Sequence, residues 1–342
     1  MRVLIIGGTG LISTAITREL VARGEEVTLY NRGQREAAIP DGVMRLYGDR
    51  GECGTFEHQM AELPRWDCVI DMVAFKPADV ESAVRAWAGR TAQYLFCSTV
   101  DVYTKPARSY PITEDAEREP LPSFPYVLNK ARCEAILEAA HARGDLPVTI
   151  IRPAHTYGEG GRLVQTFGFD TYFLDRMRRG MPIIVHGDGR SFWSACHRDD
   201  VGRVFANAVG NAEAIGRAYH VAAEEWLTWD RYYQGIAEAM GWPEPQMVHI
   251  PTELLGRAEP ERAMWCVENF GFNNIFNNAR CSEELGFRYT IPWVEGARRC
   301  VGWLVEHGQV AAADEHPFYD QLLDAWARLG DVLVEEVREA EA

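Results

Sequence analysis

The first 153 residues alternate short apolar segments with longer amphipathic ones, and this alternation limits the choice of fold more than any other feature of the chain. Neighbouring parallel strands have to be joined by crossover segments, which are usually helices. A repeated strand–helix pattern therefore predicts a parallel sheet covered by helices. Strands are predicted at residues 2–6, 26–30, 44–47, 67–71, 93–98 and 147–151, and helices at residues 11–23, 78–88 and 125–142.

The link between the first strand and the first helix is the glycine-rich turn GGTGLIS, from Gly7 to Ser13. Glycines let the backbone approach a pyrophosphate closely, and the free N–H groups at a helix N-terminus favour its negative charge. Ser13 takes the place of the third glycine of this motif, where a small side chain still permits close helix–strand packing. A tight structural turn is the alternative. The residues predicted to bind a dinucleotide here are Gly7, Thr9, Gly10, Leu11 and Ile12.

The fold expected from these patterns is α/β, with a Rossmann-type doubly wound parallel sheet of about seven strands and a smaller α/β substrate domain. After residue 153 loops lengthen and aromatic residues concentrate, with late strands predicted at 183–186 and 217–222 and a helix at 228–240. The predicted NAD(P)-binding domain comprises residues 1–153 and returning segments near 183–222. The predicted substrate-binding domain comprises residues 154–182 and 223–310, and residues 311–342 are expected to form a helix and an acidic tail.

The ends of the second and third strands carry polar residues that bear on cofactor choice. Asn31 stands where NAD-binding folds often place an acidic residue for the ribose 2′-hydroxyl, and Arg32 follows it. An arginine here suits a 2′-phosphate, so the pair favours NADP over NAD; a solvated Arg32 with Asn31 serving NAD is the alternative. Asp49 is expected to meet the adenine amino group and Arg50 to stack on or flank the ring.

Composition excludes several classes of function. The net charge of −15 disfavours a phosphate-binding surface, so no nucleic acid partner is expected. No apolar run reaches the length of a membrane helix, and the first strand begins at residue 2, which leaves no room for a signal peptide. The eight cysteines show no CxxC spacing and fit reduced thiols in a cytoplasmic protein without a metal site.

Lysine is rare in this chain, which has three, Lys76, Lys105 and Lys130, against thirty-two arginines. Lys130 follows Tyr126 by four residues at the start of a predicted helix, in the string PYVLNKARCEA, so the two side chains share one face. A tyrosine with a pKa near 10 is a poor base at neutral pH, and a neighbouring ammonium favours the phenolate. The pair is thus a candidate acid–base centre, although such spacing is also common on helix surfaces.

Five motifs in order resemble those of the extended short-chain dehydrogenases/reductases of the NAD(P)-dependent epimerase/dehydratase family. The resemblance extends from about residue 2 to residue 308. The motifs are GGTGLIS at 7–13, FCSTVDVY at 96–103, YVLNK at 126–130, RPAHTYG at 152–158 and GDGRSFWSACHRDDV at 187–201.

The resemblance implies a catalytic set of Thr99, Tyr126 and Lys130, with Tyr126 as acid or base and Lys130 also holding the nicotinamide ribose. Ser98 is the neighbouring alternative to Thr99, because a shift of one residue exchanges them. It also implies cofactor contacts at Ala74, Pro153 and His155.

Two departures from the family pattern bear on the substrate. The Asp-Glu pair of the sugar-nucleotide 4,6-dehydratases is here Val100 and Asp101, which argues against dehydration but leaves Asp101 as a candidate proton carrier or a structural aspartate. Trp193 stands where many members have an arginine for the nucleotide diphosphate, and His155 replaces a common asparagine. Together they favour a sugar-like substrate without a diphosphate. The expected substrate contacts are Ser98, Thr99, Tyr126, His155 and Trp193.

Three functions are consistent with these features. The first is an NAD(P)-dependent epimerase that oxidises a carbinol of a sugar or glycoside and returns the hydride. The second is an NADPH-dependent ketoreductase that uses the same residues. The third is a non-catalytic nucleotide-sensing or RNA-binding relative, against which the intact Thr99–Tyr126–Lys130 set and the negative charge both count. A homodimer is an open expectation.

Overall fold

The computed structural model describes residues 1–35 and 37–340. Its main element is a seven-stranded parallel sheet in the order β11–β6–β5–β4–β1–β2–β3. The strands of this sheet are β1 (Arg2–Ile6), β2 (Glu26–Asn31), β3 (Met44–Tyr47), β4 (Cys68–Asp71), β5 (Tyr94–Cys97), β6 (Val148–Pro153) and β11 (Ala218–Val221). The shorter strands are β7 (His155–Tyr157), β8 (Ile183–His186), β9 (Phe192–Trp193), β10 (Ala195–His197), β12 (Leu227–Thr228) and β13 (Met247–Ile250).

Helices follow most strands of the main sheet, as a doubly wound fold requires. They are α1 (Leu11–Ala22), α2 (Cys53–Glu62), α3 (Pro77–Trp87), α4 (Pro125–Ala142), α5 (Tyr172–Arg178), α6 (Arg198–Ala208), α7 (Trp229–Met240), α8 (Thr252–Ala258), α9 (Ala279–Glu284), α10 (Trp293–Glu306) and α11 (Pro317–Ala340). The predicted Rossmann-type α/β fold is therefore confirmed.

Strand β1 lies between β4 and β2, which is the point where the strand order reverses. In open α/β sheets, ligands bind outside the carboxyl ends of the strands at such a reversal. The side chains of β1 alternate between two apolar cores. Val3 and Ile5 face one core and Leu4 and Ile6 the other, and all four are buried. The sequence RVLII therefore folds as a central strand covered on both faces.

Two compact units make up the chain, and each is assembled from separate segments. The first contains Met1–Gly158, Ser194–Trp226 and Asn274–Pro292. The second contains Glu159–Trp193, Leu227–Asn273 and the chain from Trp293 onward.

This grouping differs from the predicted one by a few residues at 154–158 and 223–226, which lie in the first unit, and more widely in three places. Residues 183–193 belong to the second unit because β8 pairs with β13, and β9 with β12. Residues 274–292 return to the first unit, where the Ile112 N–H donates to the carbonyl of Ile275 and the Thr290 N–H to the carboxylate of Asp200. Helix α11, predicted as a separate terminal segment, is grouped with the second unit.

In the part of the chain that the structure describes, no helix combines the length and the apolar character needed to cross a membrane.

Candidate active site

A cleft of about 640 Å³ lies in the first unit beside the turn that follows β1. Gly7, Thr9 and Gly10 line it, whereas Leu11 and Ile12 begin α1 and are not among its lining residues. Gly7 has φ +95°, and a Cβ placed on it would come within 2.5 Å of Val73 Cγ1. Only glycine fits this position without strain, so the backbone comes as close to the cleft as a pyrophosphate site requires.

Ser13, the residue in place of the third glycine, is buried in the first turn of α1. Its Oγ accepts a hydrogen bond from the Gly10 N–H at 2.8 Å and lies 3.2 Å from the Gly10 carbonyl, to which it donates. The serine thus replaces a packing glycine with side-chain bonds that fix the turn before the helix.

The rim of the cleft beyond β2 carries the residues predicted to contact the 2′ position of the cofactor ribose. Asn31 Oδ1 accepts from the Gly33 N–H at 2.8 Å, which shapes the loop. Arg32 has a side chain that is 62% exposed, and its Nη1 lies 4.0 Å from Asp49 Oδ2. Arg35 also lines the cleft. Sequence reasoning missed this second arginine, although the string NRGQR contains it.

Arg50 lines the cleft but is buried, and its guanidinium is held from within the protein. Its Nε donates to Asp71 Oδ2 at 3.3 Å, and its guanidinium carbon lies 4.0 Å from the centre of the Phe56 ring. The predicted stacking of Arg50 on adenine would have to use a side chain that already stacks on Phe56.

Cationic side chains contribute more to this cleft than the acidic composition of the chain suggests. Arg32, Arg35, Arg50 and Lys76 line it, together with Asp49 and Asp79. With the glycine turn at Gly7, these groups fit a dinucleotide with its negative phosphates.

Lys130 is buried in the first turns of α4. Its Nζ donates to the carbonyls of Ala74 at 2.9 Å, just beyond the end of β4, and of Cys97 at 2.7 Å, the last residue of β5. The ammonium lies 4.7 Å from the ring centre of Phe75, which lines the cleft. Burial lowers the pKa of Lys130, and the neighbouring thiols and carboxylates oppose that shift.

Tyr126, Thr99 and Asp101 form a hydrogen-bonded group at the end of β5. The Thr99 hydroxyl donates to Asp101 Oδ2 at 3.0 Å and also bonds to the Tyr126 hydroxyl. Although the residue is 37% exposed, the surroundings of its hydroxyl raise the pKa of Tyr126 above its ordinary value. The loss of hydration around the hydroxyl contributes most, the charge of Asp101 adds to the rise, and the bond to Thr99 opposes it. This direction is opposite to the effect expected of Lys130, which favours the phenolate.

Lys105 extends this group, and sequence reasoning gave it no role. Its side chain is 6% exposed, with Nζ 4.0 Å from Asp101 Oδ1, and it donates to Asn274 Oδ1. The rarity of lysine was the available signal. Lys76 lines the cleft, Lys130 lies beside Phe75 at its edge, and Lys105 pairs with Asp101.

The remaining predicted residues occupy different surroundings. Ser98 is buried and continues the pairing of β5, since its N–H donates to Ile151 O at 2.8 Å. Pro153 ends β6, and the half-buried His155 begins β7. Trp193 belongs to the second unit, where it is 4% exposed and stacks on Trp229 with ring centres 5.2 Å apart.

A profile of the NAD dependent epimerase/dehydratase family matches residues 3–222. The chain belongs to this family. The match includes the glycine turn, Thr99, Tyr126 and Lys130, so the resemblance inferred from the motifs is confirmed. As a family member the chain is an enzyme, and NAD(P) is the cofactor that the family supports.

Two relatives illustrate the range of the family. A 2′-dehydrokanamycin reductase of Streptomyces kanamyceticus is 29% identical over 278 residues, which is 81% of this chain and 77% of the relative. A chloroplast stem-loop binding protein of 41 kDa (form b) from Arabidopsis thaliana is 27% identical over 267 residues, 74% of this chain and 67% of the relative.

Two solved structures illustrate the shared fold. A UDP-glucose 4-epimerase of Thermotoga maritima, determined with UDP-glucose, matches with TM-score 0.72 and 19% identity over 90% of this chain and 99% of its own. A UDP-glucose 4-epimerase of Bifidobacterium longum, determined with NAD⁺ and UDP, matches with TM-score 0.71 and 17% identity over 91% of this chain and 100% of its own.

Proposed function

We propose that this enzyme transfers hydride between the nicotinamide of NAD(P) and a carbinol or carbonyl carbon of a sugar-like substrate. The observation that carries the proposal is the hydrogen-bonded group of Tyr126, Thr99 and Asp101 in the unit that holds the cleft, with the buried ammonium of Lys130 one turn further along α4. A proton donor and a positioned hydroxyl are what carbonyl reduction requires of the protein.

When bound, the nicotinamide supplies or accepts the hydride. Tyr126 gives its phenolic proton to the substrate oxygen during reduction and removes it during oxidation. Thr99 orients that oxygen by a hydrogen bond. Lys130, held by two carbonyls, places its positive charge at the edge of the cleft and favours the phenolate that forms in the reaction.

Epimerisation and net reduction use the same groups, and the sequence alone placed epimerisation first. The raised pKa of Tyr126 instead suits donation to a ketone, and a relative with 29% identity is named as a reductase. We therefore propose reduction with NADPH as the principal activity. The test is whether a panel of keto-sugars, beginning with 2′-dehydrokanamycin, consumes NADPH in proportion to product. Conversion without net consumption would identify an epimerase instead.

The proposed substrate lacks a nucleotide diphosphate. Trp193 stands in the place of the diphosphate arginine, and an indole has no charge to offer a phosphate whether or not it is buried. The burial of Trp193 does remove the argument that it stacks on a sugar. Calorimetry with saturating cofactor can compare UDP or TDP with an aminated glycoside, and micromolar affinity for UDP or TDP alone would contradict this proposal.

The stem-loop binding relative keeps RNA binding as the second candidate function. We propose that this chain has no nucleic acid partner, because its net charge of −15 opposes phosphate contacts. A gel-shift titration with a stem-loop RNA at low salt and again at about 150 mM salt tests this. A complex that survives the higher salt would support RNA binding.

Compartment and assembly are also proposals. All eight cysteines are free thiols, seven of them buried, which suits the reducing cytoplasm. We propose a cytoplasmic enzyme, to be checked by cell fractionation, and a homodimer, to be checked by light scattering of the purified chain.

A further inference from the structure

The proposed function leaves Lys105, beside Asp101, without a role. Its side chain is 6% exposed, and it faces Asp101 and the amide oxygen of Asn274. Burying an ammonium costs free energy, and an apolar side chain of similar length fills such space without that cost. The position of Lys105 beside an acid of the candidate site therefore points to chemistry more than to packing.

Four side chains form a continuous polar path from Lys105 to the candidate acid. Lys105 Nζ lies 4.0 Å from Asp101 Oδ1, Asp101 Oδ2 accepts from Thr99 at 3.0 Å, and Thr99 bonds to Tyr126. Proton transfer across the 4.0 Å step requires one bridging water or a small rotation of the carboxylate. Burial lowers the pKa of Lys105 to about 8, and the charge of Asp101, the charged group that faces it, opposes this shift.

We propose that Lys105 and Asp101 form a proton relay that reprotonates Tyr126 between turnovers, so that this site is suited to net reduction of a carbonyl compound. The inference rests on the proposed function and deepens it. An epimerase takes a proton from its substrate and returns it, and so needs no outside supply. A reductase consumes one proton from solvent for each hydride delivered from the reduced nicotinamide.

The relay consists only of proton transfers, and each group that loses a proton regains one. Donation to the substrate oxygen leaves Tyr126 as a phenolate. Asp101 takes a proton from the Lys105 ammonium, and the Thr99 hydroxyl, which donates to Asp101 in the resting site, turns its hydrogen toward the phenolate. Thr99 then passes that proton to Tyr126 as it accepts the proton of Asp101. Lys105, now neutral, is protonated by solvent, and no bond other than O–H and N–H bonds changes.

Stopped-flow measurement of NADPH oxidation with a ketone that the wild-type enzyme reduces separates the first turnover from later ones. In Lys105→Met, Tyr126 begins protonated, so we expect a burst of one NADPH per active site at the wild-type rate, followed by turnover slowed at least tenfold. A variant that slows the burst as much as the later turnovers would show a structural role and overturn the relay.

Lys105→Arg is the matched variant, because it keeps the positive charge but cannot release a proton near neutral pH. We expect it to show the same burst and the same slow phase as Lys105→Met. The wild-type steady-state rate of reduction should fall as pH rises through about 8, and both variants should lose that fall. Full activity in Lys105→Arg would overturn the relay.

The scarcity of lysine allows a measurement that needs no substrate. Protein labelled with ¹³C at lysine Cε should give three signals, of which Lys105→Arg identifies one. That signal should titrate near pH 8, and Asp101→Asn should lower its midpoint. An ordinary lysine midpoint near 10.4 would contradict the relay, and a midpoint unchanged in Asp101→Asn would contradict the pairing. Absence of NADPH oxidation in the wild type would contradict the proposed function, whereas wild-type turnover retained in Lys105→Met would contradict the relay alone.

Discussion

The guanidinium of Arg50 and the carboxylate of Asp71 form a buried ion pair, with Nε 3.3 Å from Oδ2. The other carboxylate oxygen of Asp71 accepts from the N–H groups of Val73 and Ala74 at 3.1 and 3.0 Å. Since the Ala74 carbonyl holds Lys130, the pair fixes one wall of the cleft and one support of the candidate catalytic lysine. Arg50 follows β3 and Asp71 ends β4, and two other strands separate β3 from β4 in the sheet.

Breaking this pair should destabilise the protein strongly. Replacing Arg50 by Met leaves the Asp71 carboxylate buried without its counter-charge, which typically costs about 3–5 kcal/mol. The control is Arg85→Ala, which removes a solvent-exposed pair with Glu57 and should cost under about 1 kcal/mol. Urea unfolding of both variants measures the difference, and equal losses would show that burial of the Arg50 pair has no special effect.

The close approach at Gly7 predicts a loss of cofactor binding on substitution. Gly7→Ala adds the strain of a left-handed backbone, about 1–2 kcal/mol, and a contact with Val73 worth about 1–3 kcal/mol. Gly24→Ala is the control, because Gly24 has φ +78° but open space around its added Cβ. Fluorescence titration with NADPH should show weaker binding only in Gly7→Ala, and Val73→Ala should restore part of it.

Arg32 should determine the preference between the two nicotinamide cofactors. Arg32→Ala is expected to weaken NADPH binding about tenfold, near the lower end for a charged hydrogen bond because the side chain is largely exposed. NADH binding should change little. Arg45→Ala, on the exposed strand β3 and outside the residues that line the cleft, is the matched control. Equal losses of NADH and NADPH affinity would show that Arg32 does not read a 2′-phosphate.

Tyr126 should be essential for turnover and dispensable for cofactor binding. Tyr126→Phe removes the proton donor without changing the ring, so the rate should fall by about two orders of magnitude or more while NADPH affinity stays close to that of the wild type. Tyr110→Phe, at a residue exposed to a similar degree, should retain full activity. Activity retained in Tyr126→Phe would require another acid, with Asp101 the nearest.

Acid should destabilise the second unit through His186. This side chain is buried, with Nε2 3.1 Å from the carbonyl of Phe270, and burial lowers its pKa to about 4. The unfolded chain therefore binds more protons between pH 6.5 and 4, so stability is present above that window and is lost as pH falls through it. The slope is about 1.4 kcal/mol per pH unit. His186→Gln should reduce the slope of unfolding free energy against pH by this amount, and an unchanged slope would contradict the assignment.

Sequence patterns correctly predicted the features that depend on residues close together in the chain. The strand–helix alternation gave the bounds of β1, β3 and β8 and of helix α4, and the glycine turn placed the cleft. Helix α2 was not predicted, because its start in GECG reads as a loop.

Some contacts escaped prediction for a physical reason. Lys105 and Asp101 are only four residues apart, but they lie in a 3₁₀ turn and the loop after it, where no helical periodicity indicates a shared face. Other contacts join residues that are distant in the sequence. Arg50 was assigned to the adenine from its position after β3, but its partner Asp71 lies in another strand. The surroundings of Trp193 are determined by Trp229 and Phe270, which come from elsewhere in the second unit.

The chain passes between its two units five times, and this has a consequence for its synthesis on the ribosome. Strand β6 ends at residue 153, but β11, the partner that covers its free edge, begins only at residue 218. During translation that edge is exposed while an intervening part of the second unit emerges, and an open strand edge is a site for wrong pairing.

The interleaved segments also affect recombination between genes. Because each unit is encoded by three separate stretches, a single crossover cannot exchange one whole unit for another.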